Sequence, residues 1–446
     1  MLHVKDILHI CNGKLICGDE NTECINFTND TRTLNKGDVF VGIKGDTFNG
    51  NSFYKEAIKK GAKVCILDDK NVIEKNSKAT IILVDDSIKA IQELAKYKRS
   101  LYNIPVIAIT GSVGKTSVKD MVSSVVSSHY KTLCTKGNMN NHIGLPLTIL
   151  GLKDHEALIV EMGMNHLGEI HTLSNIAKPT LALITNIGTA HIGNLESREN
   201  ILKAKMEITD GLNGSLIINN DNDMLRTVKY DKLITIGIDN DSDYMAHDID
   251  DKVFSSNFYI GDEYISLPVG SKAFIYNALF AYAVGKKLNI PDTKIIQALE
   301  SFKLTPHRLE LINHKDYRII DDTYNASLDS VNNALEMLSK VEGRKVFIFG
   351  DILELDNYAK EIHKEIGNSI INNKIDVLIT VGENAYYTYS VAYDAGIESY
   401  HYKDNNEMLK EIDKIIDIGD TILVKGSHGM NLIEIVIHLK NFKSTN

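Results

Sequence analysis

The sequence predicts an α/β protein of three domains. The chain of 446 residues is too long for one hydrophobic core. Apolar, β-branched runs alternate with helical patterns along most of it, and the alternation stops at a proline-containing linker and then restarts. We place the three domains at residues 1–98, 99–312 and 313–446.

The first domain is predicted to be small and α/β. The runs "DVFVGI" and "KVCILDD" are typical of strands and flank a helical stretch, "FYKEAIKKGA". A charged helix in "ELAKYKRSLYNIPV" ends before Pro105, because the residue that precedes a proline is disfavoured in the helical region. The first boundary therefore falls near residue 100.

The central domain is predicted to hold a mostly parallel sheet with helices on its faces. Strand-like runs recur at "VIAIT", "ALIVEM", "LALITN", "SLIINN" and "KLITIGI", separated by helical or loop segments. The linker "SFKLTPHRLELINH" closes this domain.

The third domain is predicted to be doubly wound and Rossmann-like. The strands "YRIIDD", "KVFIFG", "DVLITVG" and "TILVKGS" alternate with helical stretches around residues 328–340, 358–372, 383–395 and 404–416. No Gly-x-Gly-x-x-Gly follows these strands in the sequence, so the dinucleotide fingerprint is absent.

The composition of the sequence argues against a membrane protein, a disulfide-linked protein and a nucleic-acid-binding protein. No apolar run approaches the roughly 20 residues that span a bilayer, and the first residues lack a signal-peptide pattern, so we expect a cytoplasmic protein. The five cysteines contain no Cys-x-x-Cys pair, which indicates free thiols. A net charge of -10 with scattered basic residues opposes nucleic-acid binding. Nothing in the sequence demands an oligomer, so we expect a monomer.

The stretch "VIAITGSVGKTSVKDM" has the pattern of a phosphate-binding loop between a strand and a helix. Its glycines let backbone N–H groups turn inward, and the helix adds the positive end of its dipole. The loop is a shorter form than the usual one, which would need glycine at Ile109. A turn with an accidental Gly-Lys-Thr is the alternative, which the flanking strand and helix disfavour. The central domain is thus of P-loop ATPase type, with these predicted ATP contacts: Gly111, Ser112, Val113, Gly114, Lys115, Thr116 and Ser117.

Further motifs give the sequence a specific resemblance. In chain order they are "DTRTLNKGDVFVGIKG", "TGSVGKTS", "GNMNNHIGLPLT", "VEMGMNHLGEI", "TNIGTAHI", "KAKMEI", "YNALFA", "PHRLE", "DDTYNAS", "GDILEL" and "LVKGSHGM". With them the chain resembles the Mur ligases, ATP-dependent amide-forming enzymes of cell-wall precursor synthesis. "GNMNNHIGLP", "EMGMNHLGEI" and "DDTYNAS" point to the branch that adds D-alanyl-D-alanine to UDP-N-acetylmuramoyl-tripeptide.

The resemblance implies a reaction and its catalytic groups. A substrate carboxylate attacks the γ-phosphate to give an acyl phosphate, and an amine then displaces phosphate. Lys115 and Thr116 would face the phosphates, and Thr116 and Glu161 would hold one Mg²⁺. His191 would lie at a second Mg²⁺, beside Lys205 carrying a carbamate, whereas Lys203 would not be modified. On sequence alone, Glu161, His191 and Lys205 would pass for surface or structural residues.

The resemblance also implies binding residues. Asn277 would contact adenine, although it could be a helix N-cap, and Arg308 would contact phosphate, although it could form an interdomain salt bridge. Asp322 would contact the ribose from the carboxyl end of a strand. Asn138 would face nucleotide and substrate, unless it is only a polar turn residue. The first domain would hold the UDP part through Thr31 and Arg32, and the third would receive the dipeptide.

Two positions depart from the family pattern. The family's Asp-Gly-His is Asn49, Gly50 and Asn51 here, so the role of that histidine does not carry over. The arginine that follows "KGS" in the family is His428, which puts bidentate carboxylate recognition there in doubt. The alternatives are another amino-acid-adding Mur ligase, a folylpolyglutamate synthetase, and a P-loop regulatory ATPase.

Overall fold

The computed structural model describes residues 2–45, 47–74 and 79–442, which fall into two compact units. Of the described residues, the first unit contains those within 1–110, 130–183 and 204–216, and the second contains those within 111–129, 184–203 and 217–446. The division follows neither predicted domain boundary, so both boundaries stay predictions. In the part of the chain described, no helix has the length and apolar character needed to cross a membrane.

The N-terminal part of the first unit is a small α/β fold. In chain order its elements are β1 (Leu2–His3), α1 (Val4–Ile10), β2 (Lys14–Cys17), β3 (Glu23–Cys24), β4 (Phe27–Thr28), β5 (Val39–Val41), α2 (Tyr54–Lys59), β6 (Val64–Leu67), β7 (Thr80–Leu83) and α3 (Ser87–Ser100). Five strands form a sheet in the order β2-β7-β6-β5-β4, parallel except for β2. The predicted strands and helix of this region correspond to β5, β6 and α2.

The central region continues the alternation. In chain order its elements are β8 (Val106–Thr110), α4 (Lys115–Ser127), β9 (Thr132–Cys134), α5 (Gly144–Leu150), β10 (Ala157–Glu161), α6 (Glu169–Ala177), β11 (Leu181–Ile184), α7 (Ile192–Leu195), α8 (Arg198–Met206), β12 (Ser215–Asn219), β13 (Leu233–Gly237), β14 (Tyr244–Asp251), β15 (Ser256–Ile260), β16 (Glu263–Leu267), α9 (Lys272–Lys287) and α10 (Asp292–Glu300). In the first unit β10 lies parallel between β8 and β9, which confirms the predicted parallel sheet.

In the second unit, β14, β15 and β16 form antiparallel pairs that the sequence did not predict. The acidic, mostly exposed run "YMAHDIDD" of β14 has no apolar pattern typical of a strand. Pairing with β15 therefore defines β14, whereas β15 and β16 have alternating buried residues on one face.

The C-terminal part of the second unit is a doubly wound sheet. Its elements are β17 (Glu310–Asn313), β18 (Arg318–Asp322), α11 (Leu328–Ser339), β19 (Lys345–Gly350), α12 (Ala359–Asn372), β20 (Val377–Val381), α13 (Ala385–Asp394), β21 (Glu398–Tyr402), α14 (Asn405–Glu411), β22 (Thr421–Lys425) and α15 (Ile433–Asn441). The strand order is β17-β18-β22-β19-β20-β21, with only β17 antiparallel. The end of the predicted linker is thus a strand, β17.

Helices cover both faces of this sheet. Ile320 and Phe347 belong to a core that includes α11 and α12, whereas Ile319 and Val346 belong to a second core that includes α14 and α15. Successive residues of a strand point to opposite faces, so the centre of a strand buried on both faces is a nearly continuous apolar run. The predicted doubly wound class is confirmed.

Candidate active site

The phosphate loop has the geometry that the sequence predicts. β8 ends at Thr110 and α4 begins at Lys115, with Gly114 in the left-handed conformation as its N-cap (φ 78°). A Cβ on Gly111 would overlap the hydroxyl of Thr185, so this position accepts only glycine. The first N–H groups of α4 have no acceptor within the helix, and they open an anion site at its positive end.

The loop is fixed by the first residues after β11. The backbone N–H of Ser112 donates to the Asn186 carbonyl (3.0 Å), and that of Val113 donates to Asn186 Oδ1 (2.9 Å). The Thr185 hydroxyl donates to the Val113 carbonyl at 2.6 Å. Two N–H groups that we expected to face phosphate are therefore committed to Asn186, which leaves Gly114 and the first turn of α4 as the cradle.

Lys115 lies over this loop. Its Nζ donates to the carbonyl oxygens of Gly111 (2.8 Å) and Ser112 (3.3 Å). Thr116 and Ser117 follow in the first turn of α4 and, like Lys115, are half-buried. The ammonium is thus held at the edge of the anion site, where it can exchange carbonyl contacts for a phosphate.

Asn277 lies beside the phosphate loop, in the second turn of α9. The N-cap of that helix is Ser271, whose side chain accepts from the N–H of Ala273. The alternative of Asn277 as an N-cap is therefore wrong. Its Oδ1 lies 3.9 Å from the position of a Cβ on Gly114, and the residue is 8% exposed. This placement agrees with a nucleotide contact.

His191 ends the loop that begins at Thr185, which we call the 185–191 loop. It has a left-handed backbone (φ 63°) and precedes α7. Its Nδ1 lies 3.4 Å from Oε2 of Glu354, in the loop after β19. The same loop thus reaches from the phosphate-loop support at Asn186 to this imidazole.

Arg308 and Asp322 lie near the carboxyl end of β18. The Arg308 guanidinium stacks on the ring of Tyr324 at 3.9 Å, and its Nε has no hydrogen-bond partner among the described residues. Among the described residues this side chain makes no salt bridge, so the predicted alternative is not found there. Burial raises the pKa of the Asp322 carboxyl, and the charges of Lys425 and Arg308 oppose that shift.

Lys425 is a buried cation that sequence reasoning missed. Its Nζ donates to Asp322 Oδ2 at 2.6 Å and to the Asn325 carbonyl at 2.9 Å, and its side chain is 2% exposed. β18 and β22 are parallel neighbours that pair Asp322 with Lys425. Identifying this ion pair requires the register of two strands that lie about a hundred residues apart in the chain, and a single sequence does not show that register.

In the first unit, Glu161 ends β10 and is 2% exposed. Its Oε1 accepts from Nδ2 of Asn140 at 2.9 Å, and its N–H donates to the Thr135 hydroxyl. Asn138, the predicted contact of the "GNMNN" loop, is exposed, and its carbonyl accepts from the N–H of Asn140. Asn140 therefore orients the carboxylate of Glu161, a role that sequence reasoning did not assign.

The two lysines of "KAKMEI" differ in burial. Lys205 is 1% exposed and is among the largest fully buried side chains, whereas Lys203 is exposed. Both lie in α8, two residues apart. The structure thus distinguishes the two lysines by burial, and the assignment of the carbamate to Lys205 stays a prediction.

Thr31 and Arg32 lie in the loop between β4 and β5. The Thr31 hydroxyl donates to Glu56 at 2.9 Å, and the Arg32 guanidinium donates to the Asp30 carboxylate in three contacts, at 3.0, 3.1 and 2.8 Å. The Arg32 guanidinium keeps the pKa of Asp30 below its ordinary value. The Arg32 side chain is 86% exposed, so it remains accessible to an anionic ligand.

The departures from the family pattern have local explanations. Asn51 is fully buried and donates to Asp68 and Asn49, and it accepts from the N–H of Asp68. Position 51 is therefore a structural hydrogen-bonding centre here. His428 is exposed, and its N–H donates to Asn325 Oδ1 at 3.4 Å.

Two of the predicted Mg²⁺ ligands, each taken by itself, carry suitable donor atoms. The Glu161 carboxylate and the Thr116 hydroxyl are oxygen ligands of the kind that this ion prefers. A separate group in the described part of the chain, His307, Glu310 and Asp321, has its ligand atoms within 4.8 Å of one another. Asp321 already accepts a hydrogen bond from the Thr323 hydroxyl, and its other oxygen lies 2.7 Å from His307 Nδ1. These contacts hold the segment that precedes β17 against the end of β18.

A phosphate loop, a buried strand-end carboxylate and two α/β units define an ATP-using enzyme of the P-loop class. Three family descriptions match the chain: "Mur ligase family, catalytic domain" over residues 26–99, "Mur ligase middle domain" over residues 109–285, and "Mur ligase, glutamate ligase domain" over residues 307–428. The chain belongs to the Mur ligase family.

Individual relatives agree with the predicted branch. The chain is 36% identical over 445 residues to the UDP-N-acetylmuramoyl-tripeptide--D-alanyl-D-alanine ligase of Bacillus subtilis (strain 168), with 97% of each covered. It is 31% identical over 448 residues to the ligase of the same name from Escherichia coli (strain K12), with 97% of each covered.

Solved structures of similar proteins have the same fold. Crystal structure I of MurF from Acinetobacter baumannii has a TM-score of 0.90 at 28% identity, with 99% of each chain covered. MurF ligase from Thermotoga maritima in complex with ADP has a TM-score of 0.81 at 28% identity, covering 93% of this chain and 97% of that one. The predicted family, branch and three-domain α/β class are confirmed.

Proposed function

We propose that this chain joins D-alanyl-D-alanine to UDP-N-acetylmuramoyl-tripeptide in an ATP-dependent reaction, forming one C–N bond and releasing ADP and phosphate. The observation that carries the proposal is the 36% identity to a ligase of that name across 97% of both chains, with the phosphate loop intact. ATP is the nucleotide, and the product is the pentapeptide precursor of peptidoglycan.

The chain's own residues supply binding and charge in the first step. The N-terminus of α4 and Lys115 hold the phosphates, and Asn277, beside Gly114, holds the nucleotide. The tripeptide carboxylate attacks the γ-phosphate, and ADP leaves. The acyl phosphate made in this way has a good leaving group, which the dipeptide amine displaces through a tetrahedral intermediate.

Two ion sites complete the proposal. Thr116 and Glu161 would hold one Mg²⁺, and His191 and a carbamate on Lys205 would hold the second. When bound, these ions neutralise the charge of the reacting phosphates. The carbamate forms when the neutral amine of Lys205 attacks CO₂ and a proton leaves, and it turns a cation into an anion.

The third part of the proposal concerns the residues that bind the substrates away from the reacting groups. Thr31 and Arg32 would contact the UDP moiety, and Asn138 would contact nucleotide or tripeptide, while Arg308 and Asp322 would contact the phosphate and the ribose of ATP. The C-terminal sheet would receive the dipeptide at its carboxyl edge, where ligands of open α/β sheets bind. We further propose that the protein is cytoplasmic and monomeric. Sedimentation of the enzyme at its assay concentration tests the oligomeric state.

Phosphate release tests the function. The purified chain should release phosphate from ATP in the presence of UDP-N-acetylmuramoyl-tripeptide only when D-alanyl-D-alanine is added, and the pentapeptide should appear in equal amount. The control is Lys115→Ala, which should lose at least about 1,000-fold in turnover because it removes the cation at the transferred phosphoryl group.

Each alternative predicts a different result. Turnover with a free amino acid and a UDP-dipeptide would indicate the preceding ligase of the pathway, and turnover with a folate and glutamate would indicate a folylpolyglutamate synthetase. A rate of phosphate release that does not depend on any added acceptor substrate would indicate a regulatory ATPase. Any of these without pentapeptide formation refutes the proposed function.

A further inference from the structure

Asp329, in the first turn of α11, meets the 185–191 loop. Its Oδ2 accepts from the backbone N–H of Thr189 at 3.3 Å. A Cβ on Gly188 would overlap the same oxygen, so the absence of a side chain at Gly188 makes room for this carboxylate. The contact joins the helix after β18 to a peptide bond two residues before His191.

The 185–191 loop is held from a second side by Arg198 of α8. Its Nη2 donates to the Ile187 carbonyl at 2.8 Å, and the guanidinium pairs with Asp223 at 2.8 and 2.5 Å. Two adjacent peptide units of the loop thus contact two side chains of opposite charge. Asp329 and Arg198 together fix the direction in which the loop leaves β11.

The position of this loop matters at both of its ends. Its first residues, Thr185 and Asn186, hold Ser112 and Val113 of the phosphate loop, and the N–H of Gly188 donates to the Ser112 hydroxyl at 2.9 Å. Its last residue is His191. A displacement at Thr189 would therefore reach the phosphate loop in one direction and the imidazole in the other.

Stability alone does not account for a carboxylate here. Burial raises the pKa of Asp329, and the Thr189 N–H and the charge of Arg198 offset this only in part. The folded state therefore disfavours the charged form of this half-buried side chain, and a charge that its surroundings compensate only in part is usually less stable than an apolar group of its size. The N-cap of α11 is already supplied by Ser327, so capping does not require Asp329.

We propose that Asp329 is a positioning residue for the ligase reaction: through the backbone of Gly188 and Thr189 it aligns the 185–191 loop, and thereby His191 and the phosphate loop. This inference rests on the proposed function. Under this proposal, phosphoryl transfer depends on the position of α11. ATP then reacts efficiently only when α11 and the C-terminal sheet pack against the 185–191 loop. Asp329 itself touches neither ATP nor acceptor in this scheme.

The same helix offers a matched control. Lys340, the C-cap of α11, pairs with Asp251 of β14 at 2.5 Å, and it makes no contact with the 185–191 loop among the contacts described. Lys340→Ala removes an ion pair made by α11 and leaves the loop untouched. A general weakening of the packing of α11 would lower kcat in both Asp329→Ala and Lys340→Ala, whereas a loss of loop alignment would lower it only in Asp329→Ala.

The experiment uses Asp329→Ala, Asp329→Asn and Lys340→Ala in the full chain. Phosphate release is measured against ATP concentration with both acceptor substrates present. Asp329→Ala should lower kcat by about 10- to 100-fold with KM for ATP within about threefold, as expected when a group that orients catalytic residues is lost. Asp329→Asn keeps an oxygen acceptor for Thr189 and should stay within about threefold of the unmodified chain in kcat, as should Lys340→Ala.

Hydrogen exchange supplies a readout that needs no turnover. Peptides covering residues 186–191 should exchange faster in Asp329→Ala, but not in Asp329→Asn or Lys340→Ala. If Asp329→Ala does not fold, Gly188→Ala displaces the same carboxylate from the other side and should lower kcat by the same factor.

Several results would overturn the inference: unchanged kcat in Asp329→Ala, an equal loss in Lys340→Ala, an equal loss in Asp329→Asn, an effect confined to KM, or unchanged exchange in residues 186–191. If the unmodified chain makes no pentapeptide, the proposed function fails, and the exchange comparison still decides whether Asp329 holds the loop.

Discussion

Lys425→Met tests the buried ion pair at the carboxyl edge of the C-terminal sheet. The substitution keeps most of the side-chain volume and removes an ammonium that lies 2.6 Å from Asp322 Oδ2. The side chains are 2% and 12% exposed, so water cannot readily replace the lost charge. The Asn325 carbonyl loses its donor in the same step. The variant therefore leaves a buried carboxylate without its cation.

The expected cost is large for one substitution. Removing one partner of a buried ion pair costs about 3–5 kcal/mol, because the remaining charge is desolvated and only the smaller contributions of the Arg308 charge and the Leu309 N–H offset this. For a region of this size each kcal/mol corresponds to about 2–4 °C in Tm, so we expect Tm to fall by roughly 10 °C. The chain contains no tryptophan, so thermal unfolding is followed by circular dichroism.

The deficit should depend on pH. Burial raises the pKa of Asp322 and Lys425 opposes this, so the pKa rises further when Lys425 is removed. A group whose folded-state pKa is raised contributes stability that is lost as pH rises through that pKa. The difference in Tm between the variant and the unmodified chain should therefore be larger at pH 8 than at pH 5.

An exposed pair supplies the control. Lys272 and Asp239 lie 2.7 Å apart with side chains 41% and 59% exposed. Lys272→Met should cost no more than about 1 kcal/mol, since water screens such a pair. If Lys425→Met and Lys272→Met lowered Tm equally, or if the loss in Lys425→Met were independent of pH, the reasoning would be refuted.

Three further predictions concern single side chains. Lys205→Ala should lose most activity and regain part of it with short carboxylic acids, whereas Lys203→Ala should stay within about twofold of the unmodified chain; a fully active Lys205→Ala enzyme contradicts the carbamate proposal. Asn51→Ala should cost about 2–3 kcal/mol in thermal unfolding, because it leaves the N–H of Asp68 without an acceptor, and a loss below about 1 kcal/mol would show that the site relaxes. Gly111→Ala should weaken ADP binding at least about tenfold in equilibrium titration, because its Cβ overlaps the Thr185 hydroxyl, and unchanged binding would mean that the loop moves without cost.

The elements that could be predicted from the sequence are those with a buried apolar pattern. β18, β19, β20 and β22 are buried on both faces and each contains consecutive apolar residues, so their type and their order along the chain follow from the residues alone. β14 was missed because its exposed acidic residues carry no such pattern, and β17 was missed because it lies within a linker that contains proline. Both strands form by hydrogen bonding to a neighbouring strand, and a short stretch of sequence does not show which strands pair.

The same distinction explains which site residues were found. Lys115 and Thr116 were predictable because their chemistry depends on neighbours in the chain: the glycines before them and the helix that they begin. Asn186, Asn140 and Lys425 act on partners that lie 21 to 103 positions away, and in the sequence they are ordinary polar residues.

Resemblance fills part of that gap, and positions 49–51 show its limit. The family pattern identifies the place in the chain, but the residue found there decides the role. Asn51 is fully buried, and its amide joins Asn49 to Asp68, whose other carboxylate oxygen accepts from the N–H of Ser87 at the start of α3. The geometry therefore assigns this position to the internal support of the first sheet. A substrate contact at the carboxyl ends of β5 and β6 would have to come from the residues that surround Asn51 rather than from Asn51 itself.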